Sequence, residues 1–276
     1  MRTADLTTPT TPTTRLRVGC TFAYHAEVPT PTVFQIQPGD EPPVEETCRL
    51  EPYARLRRYR DLYGNPCLRV VLPAGRATLR YDAVLDVPDA PEDADESAPE
   101  VAPDDLPDAV LLYTLPSRYC LPDVLGDEAW TRFGGCPPGY GRVREICAHV
   151  HRHLMFRYGS STALSTASDV NTTRLGVCRD FTHLAISFCR ALNIPARYVF
   201  GYLPDLDVAP DPAPMDFAAW LEVWLGDRWW TFDPRNNARR KGRVTIGRGR
   251  DAADVAMATT FGGPVLESMT VTAEPA

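Results

Sequence analysis

The hydrophobic period turns from strand-like to helical close to residue 110, and that change limits the fold more than any other feature. Before it, short runs rich in β-branched and aromatic residues (Leu16 to Ala26, Thr32 to Gln37, Arg55 to Tyr63, Cys67 to Leu72, Ala77 to Val87) are separated by turn signals such as Gly64-Asn65-Pro66 and Pro73-Ala74-Gly75. After it, apolar residues recur at helical spacing. Glu128 to Phe133 reads as a short helix ended by Gly134-Gly135, and Gly141 to Tyr158 as a longer one carrying Val143, Ile146, Cys147, Val150 and Leu154. A Ser/Thr-rich loop follows, then Gly176-Val177-Cys178 and a helix that stops before Pro195, with Phe181, Leu184, Ala185, Phe188 and Leu192 along one side. A strand over Ala196 to Tyr202, a proline-rich loop and two strands joined by Gly226-Asp227 complete the pattern. The expectation is an α+β fold: a tail over 1–14, an antiparallel β domain over 15–87, an acidic linker over 88–108 and a mixed domain over 109–276.

At 276 residues with 44% hydrophobic and 24% charged composition, the chain can bury one large or two small cores, which argues against fibrous and wholly disordered classes. No apolar run approaches the ~18 residues of a membrane helix, and the Thr- and Pro-rich start lacks the apolar segment of a signal peptide, so the expected compartment is the cytoplasm. The formal charge of -7 is unevenly spread. Ten acidic and no basic residues lie between Asp86 and Asp108; without them the formal charge is +3. The acidity therefore belongs to one Pro/Ala/Asp-rich segment. Eight cysteines form no C-x-x-C pair, so neither a zinc nor a redox site is indicated, and most are expected to be buried as small apolar residues.

Cys178 stands apart. At the first position of a helix a thiol meets the positive end of the helix dipole, which favours the thiolate, although a buried structural thiol would read the same way. The Gly226-Asp227 hairpin pairs Trp224 with Trp229, Glu222 with Thr231 and Trp220 with Asp233. Residue 218 then shares a face with Asp233, diagonal to it. A histidine there could be oriented by Asp233 toward a helix-borne thiol, but residue 218 is alanine.

The runs GVCRDFTHLAISFCRALNIPARYVFGYL (176–203) and MDFAAWLEVWLGDRWWTFDPRNN (215–237) resemble the bacterial branch of the transglutaminase-like superfamily, whose papain-like fold is shared by transglutaminases and many cysteine proteases. YTLPSRYC (113–120), the region 146–161 and GRGRDAADVAMATTFG (247–262) are similar to that branch as well, so the resemblance spans about 15 to 272. It implies a helix carrying the nucleophile Cys178 packed on an antiparallel sheet, with Asp233 as the orienting aspartate and the family's histidine position occupied by Ala218. It implies a cysteine-dependent hydrolase or acyl transferase acting on peptides or proteins, without metal or organic cofactor, and with activity lowered by the missing base. The alternative is a catalytically inactive relative that binds peptides or proteins through the inherited groove.

Other features have plainer readings beside the functional ones. His183, five residues after Cys178, points about 140° away from it on a helix and is expected in the core. Asn236, carried along the hairpin register, is expected to face away from Asp233. His149 and His153 have i, i+4 spacing but no third ligand, so no metal is expected. Trp220 and Trp224 either line a substrate groove or pack across strands. Arg179-Asp180 reads as a structural ion pair. The basic stretch from Arg235 to Arg250 lacks interleaved aromatics, so it reads as a solvated surface or a dock for the acidic segment rather than a nucleic-acid site. Neither nucleic acid nor membrane is expected as a partner.

Overall fold

A computed structural model describes residues 12–210 and 212–276; the expected tail lies largely outside them. The β-patterned half forms strands β1 (Thr13–Ala26), β2 (Thr30–Phe34), β3 (Glu45–Glu51), β4 (Arg57–Arg60), β5 (Pro66–Leu72) and β6 (Gly75–Pro88). β6 alternates along its length, and its buried Leu85, Ala83, Tyr81 and Leu79 face Leu16, Val18, Cys20 and Phe22 of β1, also buried. Strand β3 was not expected, because EETCRLE is polar; only Leu50 of it is buried, and the rest pairs with β6 at a solvated margin.

The second half holds α1 (Asp108–Leu111), α2 (Gly126–Phe133), α3 (Tyr140–His153), the short β7 (Met155–Phe156), α4 (Ala167–Thr173), β8 (Leu175–Gly176), α5 (Cys178–Ala191), β9 (Ala196–Tyr202), β10 (Ala218–Leu225), β11 (Arg228–Phe232) and β12 (Val244–Gly249). Helix α3 ends five residues before the expected Tyr158, where residues 155–156 pair in parallel with β8. The Ser/Thr-rich segment read as loop contains α4, whose Thr166 and Asp169 form a capping box. The hairpin register is as expected, Glu222 opposite Thr231 and Trp224 opposite Trp229, in a sheet ordered β11-β10-β9-β12.

Helix α5 packs on β10 and β9 and is flanked by α2, α3 and α4. It is not amphipathic in place: every residue from Asp180 to Arg190 is buried. Its polar side chains find internal partners: Thr182 and Ser187 donate to the carbonyls of Cys178 and His183 at 2.9 and 2.8 Å, and Arg190 to four residues including Ala196 and Arg250.

The chain then returns to its beginning. β13 (Ala258–Thr260) pairs with β2 and β14 (Val265–Pro275) with β1, giving sheets ordered β13-β2-β5-β4 and β14-β1-β6-β3. Residues 258–275 thus belong with the β half, whereas a division by sequence order at 109 assigns them to the mixed half. The halves also share one apolar core. Phe217, beside the start of β10, stacks on Phe22 of β1 at 6.2 Å, and the Tyr202 hydroxyl donates to the Ile36 carbonyl at 2.7 Å. The acidic segment lies against the basic stretch and the start of β11: Lys241 meets Asp89 at 3.1 Å, Arg243 and the Arg240 backbone hold Glu92, and Arg228 of β11 meets Asp93 at 3.1 Å.

Candidate active site

Helix α5 starts at Cys178 for a local reason. Val177 is extended, and the Asp180 carboxylate reaches back to accept its N–H at 2.8 Å, holding the first turn where the dipole favours negative charge. Asp180 is otherwise bound by Arg179 at 3.0 Å and Ser161 at 2.6 Å, so Arg179-Asp180 is a structural pair. The Cys178 thiol lies 3.8 Å from the Phe217 carbonyl and opens into a cavity of about 220 Å³. Ala218, Asn236, Asp216, Arg235, Tyr158 and Met215 are among its walls. Cys178 and Ala218 are thereby brought together, and no histidine lines the cavity among the described residues.

The thiol is not held as a thiolate. Burial pushes it up to about 11, the negative charge of Asp216 adds to that, and Arg235 with the backbone N–H groups of Ala219 and Arg179 offsets only part. The dipole-lowered value expected from position alone is therefore corrected: desolvation outweighs the helix terminus when no cationic imidazole accompanies it.

Asp233 sits directly after β11, with its side chain 2% exposed. Its Oδ1 accepts from the backbone N–H groups of Arg235 at 3.0 Å and Asn236 at 2.9 Å, and its Oδ2 from Asn236 Nδ2 at 2.7 Å and Arg243 at 2.8 Å. Burial acts to raise this carboxyl, but Arg243 and the Asn236 donors hold it below the usual carboxylate range. Asn236 thus faces Asp233, contrary to the extrapolated register. The strand ends at Phe232, and the Asp-Pro sequence starts an Asx turn that folds residues 235–237 back around the carboxylate, so period-2 alternation no longer applies. Asn236 is the side chain that both touches Asp233 and lines the Cys178 cavity. Its Oδ1 accepts from Arg235 at 2.9 Å, which fixes the amide with its nitrogen toward Asp233.

The tryptophans do not line the cavity. Trp220 is 1% exposed, with Arg243 over its ring at 4.7 Å, and Trp224 packs edge-on against Trp229 at 5.4 Å. His183 is in the core, stacked on Tyr119 at 5.1 Å and accepting the Ala252 N–H at 3.1 Å, and burial pushes it down to about 3. His149 and His153 stack on each other at 5.2 Å, and no group of three or more metal-binding side chains occurs among the described residues. Sequence reasoning passed over Asp216 and Tyr158 and turned Asn236 the wrong way. The Asp-Pro-x-Asn turn was the signal available for Asn236; nothing in the sequence marks Tyr158, which reaches the site from the segment after β7.

Comparison with known proteins agrees with the fold. The model of the transglutaminase-like superfamily matches residues 129–234, which include Cys178, Ala218 and Asp233. An uncharacterized protein of Mycobacterium tuberculosis is 31% identical over 220 residues, 71% of this chain and 68% of that protein. One from Mycobacterium leprae is 38% identical over 101 residues, 36% of each chain. The crystal structure of a candidate cysteine protease from Cytophaga hutchinsonii superposes with a TM-score of 0.86 at 29% identity, covering 96% of this chain and 91% of that one.

Proposed function

The chain belongs to the transglutaminase-like superfamily, and from that premise we propose that it is a cysteine-dependent amide hydrolase or acyl transferase, working on peptides or proteins through a thioester on Cys178. The observation that carries this reading is the position of the Cys178 thiol at a helix N-terminus, opening into a cavity whose wall includes Ala218 and Asn236, with the Asp233 carboxylate behind Asn236. Ala218 stands where the family's histidine falls. Without an imidazole the thiol stays protonated near neutral pH and the leaving amine lacks its usual proton donor, so amides react slowly and activated esters less so. The Cytophaga hutchinsonii relative supports the same class of chemistry.

A second reading is a non-catalytic peptide-binding protein. It is favoured by a specific observation: the Asp233 carboxylate is already engaged by Asn236 and Arg243, as in a site that no longer orients a base. The two readings part on ester and amide turnover by the parent chain, Cys178→Ala, Ala218→His and Asn236→His. The enzyme reading expects ester turnover that is lost in Cys178→Ala, and an amide rate raised roughly 10²-fold by one of the histidine variants. Ester turnover unchanged in Cys178→Ala, with no gain in either histidine variant, would leave only the binding reading.

A further inference from the structure

Of the cavity-lining side chains, six are titratable: Tyr158, Cys178, Asp205, Asp216, Arg235 and Arg240. The two guanidiniums cannot accept a proton, and a phenol is already protonated at neutral pH. Asp205 is ion-paired with Arg240 at 3.2 Å. Asn236, the side chain between Asp233 and the cavity, is an amide held by Arg235 and Asp233 and is no base. Asp216 is different. It lines the cavity two residues before Ala218, its Oδ1 accepts the Phe217 N–H at 2.7 Å, and no cation holds it among the described residues. The Phe217 carbonyl of the same peptide segment lies 3.8 Å from the Cys178 thiol. Asp216 is also the charge that acts most strongly on that thiol.

We propose that Asp216 is the proton acceptor and donor of this site, in place of the absent imidazole. The inference rests on the reading of Cys178 as nucleophile. In acylation the Cys178 sulfur bonds to the substrate carbonyl carbon and its proton passes to the Asp216 carboxylate. The carbon–nitrogen bond then breaks, and Asp216 returns that proton to the departing amine. In deacylation Asp216 takes a proton from the attacking water as the new carbon–oxygen bond forms. The carbon–sulfur bond breaks, and the proton goes to the sulfur, which restores the thiol and leaves a carboxylic acid. Partial burial raises the Asp216 pKa, which brings it closer to neutral pH than an ordinary carboxylate.

p-Nitrophenyl acetate removes one of these transfers, because its leaving group needs no proton. The parent chain should release a burst of about one p-nitrophenolate per Cys178, absent in Cys178→Ala, followed by slow turnover limited by deacylation. Asp216→Asn keeps an oxygen acceptor for the Phe217 N–H, so a purely structural role survives it. It should keep the burst amplitude but slow the burst, because Asp216 also takes the thiol proton in acylation, while steady-state turnover falls roughly 10²-fold, and Asp216→Glu should recover part of both losses. The rise of parent turnover with pH through the Asp216 titration should be missing in Asp216→Asn. An intact burst with steady-state turnover within about twofold of the parent in Asp216→Asn overturns the assignment. A parent chain without a Cys178-dependent burst overturns the nucleophile reading, and this assignment with it.

Discussion

A thiol with a pKa of about 11 is almost wholly protonated at pH 8, yet the small thiolate fraction it forms is intrinsically more nucleophilic than that of an ordinary cysteine. These effects oppose each other, and the fraction wins. Iodoacetamide should therefore modify Cys178 at pH 8 roughly 10- to 100-fold more slowly than a free thiol of pKa near 8.5, as peptide mapping of the alkylated chain would read; a rate equal to the free thiol means that desolvation is not controlling the site. His183 gives a second test at this scale. Buried and neutral, it is pushed down to about 3, whereas an unfolded histidine titrates near 6.5. The unfolded state thus binds the extra proton between those values. The stability that comes from keeping His183 neutral is complete above about pH 6.5 and is lost as pH falls toward 3, at up to about 1.4 kcal/mol per pH unit. His149, pushed down to about 4, adds to the same slope. Urea unfolding of His183→Gln, which keeps an acceptor for the Ala252 N–H, should show a shallower acid slope than the parent chain.

Among the elements, α5 and the β10–β11 hairpin carry the site, and both were legible because local chemistry specifies them. Gly226 supplies the left-handed residue that a two-residue loop needs, and the strand register follows from it. The start of α5 is set by Asp180, three residues from Val177. Asp180→Ala removes the acceptor of the Val177 N–H and leaves Arg179 and Ser161 without their carboxylate, so it should cost about 2 kcal/mol or more in thermal or denaturant unfolding and loosen the segment bearing Cys178. A loss below about 0.5 kcal/mol would show that packing alone sets the helix start. The turn after β11 was not legible. Alternation predicts strand residues only while the strand lasts, and the side chain of Asp233 takes over the next backbone donors, which turns Asn236 back toward the site.

For the molecule as a whole, the two halves are tied together at several places, and the site depends on that. Phe217, adjacent to both Ala218 and Asp216, is anchored on Phe22 of the β half, and Arg243 joins Asp233 to Glu92 of the acidic segment. Strand β14 completes the sheet along β1. A chain ending at residue 263 would expose the β1 edge and the apolar side chains that Val271 and Ala273 cover, so it should aggregate or melt at least 10 °C lower than the full chain, as light scattering and thermal unfolding would show. An unchanged melting temperature would mean that β14 is an appendage rather than part of the fold. No helix among the described residues is long and apolar enough to cross a membrane.

Local features can be read from the order of the residues. The sequence specified the β and helical halves through their periods, the helix start at Cys178, the hairpin that pairs Glu222 with Thr231 and Trp224 with Trp229, and, through the resemblance those blocks carry, the superfamily. Tertiary structure decided what depends on neighbours distant in the chain: the return of residues 258–275 to the first sheet, the shared core behind Phe217, the engagement of Asp233 by Asn236 and Arg243, and the protonated state of Cys178. The reason is physical. Periodicity and turn chemistry act over a few residues, whereas desolvation and charge pairing at a site are set by whichever side chains the fold brings there.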